Sequence, residues 1–111
     1  MMKGIPNMGN LLKQAQEFQA KMAKLQEELG ERTLEASSGG GMIAVVANGR
    51  QEILSVKIDP EVIDPNDREM LQDLIMAAVN DALTKARNMM QEEMGKLTHG
   101  LNIPNMPGLF G

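Results

Sequence analysis

Cysteine is absent from the 111 residues. That excludes a disulfide scaffold, a thiolate metal site and a cysteine nucleophile, and it accords with a reducing cytosol. Tryptophan and tyrosine are absent too, and phenylalanine occurs only twice. A surface that stacks single-stranded bases on aromatic rings cannot be built from two rings. The longest apolar runs, residues 42–47 and 74–79, are six residues each, too short to cross a bilayer as a helix. The opening MMKGIP lacks the apolar core expected of a signal peptide. Histidine occurs once, at His99, with no second ligand or proton-relay partner near it in sequence. No nucleophile–base pair and no catalytic carboxylate pair can be nominated. The expectation is a protein that is not an enzyme, needs no cofactor or metal, and takes no small-molecule substrate.

What is present is methionine, eleven of them, in a chain that is 42% hydrophobic and 23% charged. This is a globular composition for one domain. Without aromatics the core must come from Leu, Ile, Val, Ala and Met, and so short a chain buries little area. A second copy of the chain is therefore expected to help, with Ile75, Ala78, Val79 and Ala82 as candidates for the contact.

Residues 1–9 read as a loose arm. Leu11, Ala15, Phe18, Met22, Leu25 and Leu29 then follow heptad spacing and predict a helix. Lys13/Glu17, Glu17/Lys21, Lys24/Glu28 and Glu28/Arg32 are opposite charges four apart that support it. Gly30 marks its stop. Residues 32–38 fit a short strand, Gly39-Gly40-Gly41 a turn, and residues 42–47 a β-branched strand. Asn48-Gly49 predicts a two-residue type I′ hairpin. Residues 52–59 return with Leu54, Val56 and Ile58 on one face and Ile53, Ser55 and Lys57 on the other.

A second helix is expected from Asp64 as N-cap, with Pro65 at its first position and Asp67 and Glu69 on its positive end. No breaker follows until Gly95, so it runs about 30 residues, roughly 45 Å. Leu71, Leu74, Ile75, Ala78, Ala82 and Met89 form one apolar stripe. Met76, Val79, Leu83, Ala86, Met90 and Leu97 form another beside it. An arc that wide means a helix packed on two things at once or one that crosses a dimer interface. Residues 98–111 read as a flexible tail. The expected class is α+β, a single αβββα domain over residues 10–97.

This order sets the two helices side by side and antiparallel, with the start of the first beside the end of the second. Residues 1–26 hold Lys3, Lys13, Lys21 and Lys24 against Glu17. Residues 82–97 hold Lys85, Arg87 and Lys96 against Glu92 and Glu93. That end sums to +4 in a chain of net charge −4. Local potential, not the total, attracts a polyanion. The plain alternative is that these lysines only solvate two amphipathic helices. Other features have plain readings as well. Asp59, Asp64 and Asp67 fit turns and caps better than a cation site. The glycine triplet opens a strand, not a phosphate-binding helix. Met89, Met90 and Met94 fit packing better than a soft-metal site.

Asn10-Leu11-Leu12-Lys13-Gln14-Ala15-Gln16, Lys21-Met22 and Gln26-Glu27-Glu28 resemble the first helix of the YbaB/EbfC family of bacterial nucleoid-associated proteins. Residues 39–42, Asn48-Gly49 and Val56-Lys57-Ile58-Asp59-Pro60 are similar to its meander. Residues 69–74 and 77–82 are similar to its second helix, and the Pro-Gly-containing tail is also similar. The resemblance implies a homodimer whose helices project like tweezers from a joined sheet. It also implies binding of double-stranded DNA with a change in its conformation, and roles in nucleoid organisation and gene regulation in the bacterial cytoplasm. Lys13, Lys21, Lys24, Lys85, Arg87 and Lys96 are then the candidate DNA contacts. A prefoldin-like protein-holding chaperone shares the helix–hairpin–helix order, and an adaptor that binds other helices is a further alternative.

Overall fold

The computed structural model describes residues 8–100, and the αβββα order is present. It comprises α1 (Met8–Glu31), β1 (Thr33–Ser38), β2 (Ile43–Asn48), β3 (Ile53–Ile58) and α2 (Arg68–Gly100). The strands form one antiparallel sheet in the order β1-β2-β3. Helix α1 begins two residues inside the expected arm. Helix α2 runs through Thr98, which the sequence reading gave to the tail. Gly95 does not end it, because one glycine costs only about 1 kcal/mol in a helix of this length. The Thr98 hydroxyl donates to the Met94 carbonyl at 3.0 Å, one turn back. The rest of the expected arm and tail lie outside the described residues.

Two local expectations are corrected. The cap of α2 is Asp67, whose carboxylate accepts from the Met70 amide at 3.2 Å. Asp64 instead closes the preceding turn, accepting from the Asn66 amide on its side chain and from the Asp67 amide on its carbonyl, both at 2.9 Å. Asp-Pro-Asn-Asp is itself a turn sequence with Pro in its preferred second place, so the helix waits for the next aspartate.

The hairpin is the second correction. Its loop is three residues rather than two. The Gln51 amide donates to the Asn48 carbonyl and the Asn48 amide to the Glu52 carbonyl, both at 3.0 Å. The residue with positive φ is Gln51, at 61°, not Gly49. This is a type I turn followed by one left-handed residue, the usual three-residue alternative to type I′. The buried Asn48 side chain organises it by accepting from the amides of Arg50 and Glu52 at 2.9 and 3.0 Å.

The core lies between α2 and one face of β1 and β2. Ala36, Ile43, Val45, Ala47, Val62, Ala78 and Ala82 form it. The alanines let the helix axis come close to the sheet, and Ser38 donates to the Leu74 carbonyl at 2.6 Å to fix the helix along β1. From there α2 passes Glu35, which Lys85 touches, and reaches Arg32 at Glu93. It then runs on beyond the sheet, antiparallel to α1. The broad apolar arc is thus used twice, against the sheet and against α1. The result is a long molecule, 80 × 25 × 18 Å.

Candidate nucleic-acid interface

The projecting part of the molecule is α1 with the last turns of α2. On α1 the half-buried residues are Phe18, Met22 and Leu25, and Leu29 is fully buried, so the inner seam faces α2. The outer seam is bare, with Leu11 and Leu12 each 61% exposed. The base of this arm is tightly built. The Gly49 amide donates to the Arg32 carbonyl at 3.0 Å. A side-chain carbon on Gly49 would sit 1.9 Å from the Leu29 carbonyl oxygen. Glycine is therefore required at this position by space, not by dihedral angle. Arg50 lies across Gly30 and reaches Glu31 at 4.0 Å and Glu52 at 3.2 Å. Glu52 is held below the usual carboxylate range, first by the hydrogen bond from the Asn48 amide nitrogen at 2.7 Å and then by Arg50.

The six candidate DNA contacts separate into two groups. Lys13, Lys21, Lys24 and Arg87 are exposed, and among the described residues none closes an ion pair. The pairs expected four apart on α1 are not formed. Each exposed pair would gain little in water, which leaves the cations to other partners. Lys85 and Lys96 are engaged. Lys85 reaches Asp81 at 3.5 Å and donates to the Glu35 carbonyl at 3.2 Å, which places it over the sheet rather than at the arm's end. Lys96 bonds Glu93 at 3.3 Å, and Glu93 also meets Arg32 at 3.7 Å.

The opposite end of the molecule is acidic. Residues 59–73 hold Asp59, Glu61, Asp64, Asp67, Glu69 and Asp73 against one basic residue, Arg68. The three aspartates weighed as a cation site each serve a turn or cap, Asp59 by accepting from the Glu61 amide at 2.9 Å. The glycine triplet is a 3₁₀ turn with φ of 62°, 67° and 96°, values that exclude side chains with little strain. Met89, Met90 and Met94 are half-buried along the helix pair.

Of the four candidate dimer residues, Ala78 and Ala82 are fully buried in the chain's own core. They serve the packing of α2 on the sheet, which leaves Ile75 and Val79, half-buried, with surface to offer. A larger apolar surface escapes the sequence reading. A bulge between Val46 and Ala47 pairs Ile53 with Ala47, while Val56 pairs with Val45 and Ile58 with Ile43. Directly opposed residues share a face, so Ile53 joins Val56 and Ile58 instead of pointing away with Ser55 and Lys57. Helix α2 lies over β1 and β2, and the strip stays open, with Ile53 37%, Leu54 53% and Val56 42% exposed. The adjacent Ile53-Leu54 pair was the available signal; the bulge that shifts the register was not.

The YbaB/EbfC DNA-binding family model matches residues 2–101. A nucleoid-associated protein of Syntrophobacter fumaroxidans is 61% identical over 91% of this chain and 94% of its own. One from Pelotomaculum thermopropionicum is 58% identical over 94% and 96%, and one from Bacillus thuringiensis 56% over 99% of both. The crystal structure of an uncharacterized Helicobacter pylori protein is similar in fold, with a TM-score of 0.65 at 24% identity over 85% of this chain and 95% of that one. The match of sequence along nearly the whole length, on the fold just described, means that this chain belongs to the YbaB/EbfC DNA-binding family.

Proposed function

We propose that this chain binds double-stranded DNA in the bacterial nucleoid as a homodimer, alters its conformation, and so contributes to nucleoid organisation and gene regulation. Family membership favours this reading over the prefoldin-like chaperone and the helix-binding adaptor. The observation that carries it at residue level is the arm. Lys13, Lys21 and Lys24 stand exposed on a projecting helix, away from the acidic residues 59–73. The open strip of Ile53, Leu54 and Val56, with Ile75 and Val79 beside the core, is the surface offered to the second copy. Joining two chains there sets two arms, each with three exposed lysines, on one body. Contacts of this kind go to phosphates and position the protein without reading base edges.

Gel shifts with duplex DNA at two salt concentrations test the proposal. Each phosphate contact releases a condensed counterion, with a log–log slope of about −0.9 per contact. Changing Lys13, Lys21 and Lys24 together to Gln is expected to flatten that slope and weaken binding to all sequences alike. Lys57→Gln on the sheet serves as control. Loss of binding in the control with an unaffected triple variant would move the interface to the sheet.

A further inference from the structure

Among the described residues α1 meets the rest of the chain in three ways. Phe18, Met22, Leu25 and Leu29 give it an apolar seam on α2. Apolar burial is non-directional, so the seam holds the helix without fixing its angle. The Gly49 backbone sits against Leu29, and a steric contact resists approach but not separation. The third is the ion pair of Arg50 with Glu31, the one polar side-chain link among the described residues that joins α1 to another element.

We propose that Arg50 is a positioning residue, which ties the hairpin to the last turn of α1 and so fixes the direction in which the arm projects. Its consequence for DNA rests on the reading proposed above; its effect on the arm does not. The local sequence aims Arg50 at α1. Asn48 accepts from the Arg50 and Glu52 amides, and Gln51 takes the left-handed turn, which fixes the backbone on both sides of Arg50. Glu52 Oε1 accepts from Asn48 Nδ2 at 2.7 Å and from Arg50 Nε at 3.2 Å, so the guanidinium is oriented from the sheet side. Its Nη2 then lies 4.0 Å from Glu31 Oε1. A planar fork serves both carboxylates at once, which the single ammonium of a lysine does not.

The side chain crosses Gly30 on the way. A β-carbon on Gly30 would lie 2.9 Å from Arg50 Nη1 and 3.0 Å from Arg50 Cγ. Gly30 is inside α1 and its φ is not positive, so the backbone there would accept any ordinary residue. Space for Arg50 is what a side chain would take away. Arg50 remains exposed, and a solvated pair adds little to stability. The weight of Arg50 therefore falls on the angle of the arm and not on the folding of the sheet.

Spin labels on Gln16→Cys and Ser37→Cys, both exposed sites in a chain with no other cysteine, report the distance from arm to sheet by electron paramagnetic resonance. Unlabelled chain in excess restricts the reading to distances within one chain. Arg50→Ala is expected to keep its helicity and to raise the population of displaced arms about two- to fivefold, the factor that an exposed ion pair typically contributes. Glu31→Gln, which leaves the sheet untouched, should act in the same direction. Gly30→Ala should do so by pushing Arg50 aside, and should add nothing in the Arg50→Ala background. An unchanged distribution in Glu31→Gln or in folded Arg50→Ala would overturn the proposal, as would additive effects at Gly30 and Arg50. Gel shifts separate positioning from contact. Arg50→Ala is expected to weaken duplex binding with the salt slope unchanged, since no phosphate contact is lost. A flattened slope would make Arg50 a DNA contact and overturn its positioning role. Displaced arms with undiminished DNA binding would uphold the tie to α1 and overturn the arm as the DNA surface.

Discussion

The sheet end and the arm end of this molecule are built on different terms. At the sheet end Ile43, Val45, Ala47, Ala78, Ala82 and Ala86 have no exposed surface, and every strand backbone is tied into the meander. At the arm end one helix leans on another along a single seam, and its outer half touches nothing among the described residues. Residues 59–73 hold six carboxylates against Arg68, whereas Lys13, Lys21 and Lys24 stand on the arm among glutamates and, among the described residues, close no ion pair with them. The core and the exposed lysines of α1 are thus separated along the long axis. The exposed residues of the arm are free to change without disturbing the core, and the core constrains only where the arm begins.

Four measurements would break or sharpen that contrast. The largest effect is expected at the joint. Gly49→Ala forces a carbon against the Leu29 carbonyl, backbone against backbone, and urea melts should show a loss on the order of 3 kcal/mol or more. A loss below about 0.5 kcal/mol would mean that the joint is soft. Next comes the comparison of the two ends themselves. Ile43→Ala in the core should cost about 2–3 kcal/mol, while Leu12→Ala on the arm should stay within about 0.5 kcal/mol. Comparable losses would erase the distinction.

Third, Leu54→Asp with Val56→Asp places two charges on the open strip. The wild type is expected to sediment as a dimer and this variant as a folded 12.1 kDa chain. A stable wild-type monomer at micromolar concentration would remove the strip as an interface. The smallest effect concerns Glu52, which is exposed. Its folded-state pKa is depressed by Asn48 and Arg50. Its contribution is therefore complete above the ordinary glutamate range and is lost as pH falls through the depressed value. Glu52→Gln should lower Tm slightly at neutral pH, and the difference should close in acid.

Much of this was legible in the sequence. The heptad from Leu11 to Leu29, the β-branched run at 42–47 and the uninterrupted second helix gave element types and order, because period is a direct record of burial. The arm lysines were legible as residues, but not in their states. Lys85 reads like Lys13 in sequence, yet α2 carries it over β1, where Glu35 and Asp81 hold it. The interface was the least legible part. Ala78 and Ala82 are apolar and on the inner arc, which fits a dimer contact and a monomer core equally. Only the position of α2 over β1 and β2 assigns them to the core. A one-residue bulge, invisible to alternation, then decides which way Ile53 points.

The contact between Gly49 and Leu29 also has a mechanical side. The hairpin tip presses on the last turn of α1, as a stop presses on a lever near its pivot. The lever is 24 residues, about 36 Å. A tilt of about 10° at the pivot would swing the tip by about 6 Å, roughly the width of a minor groove. With no side chain at residue 49 to give way, the bearing is backbone on backbone. The direction in which the arm points is then set by the stiffness of one glycine contact, far from the exposed lysines that the arm carries.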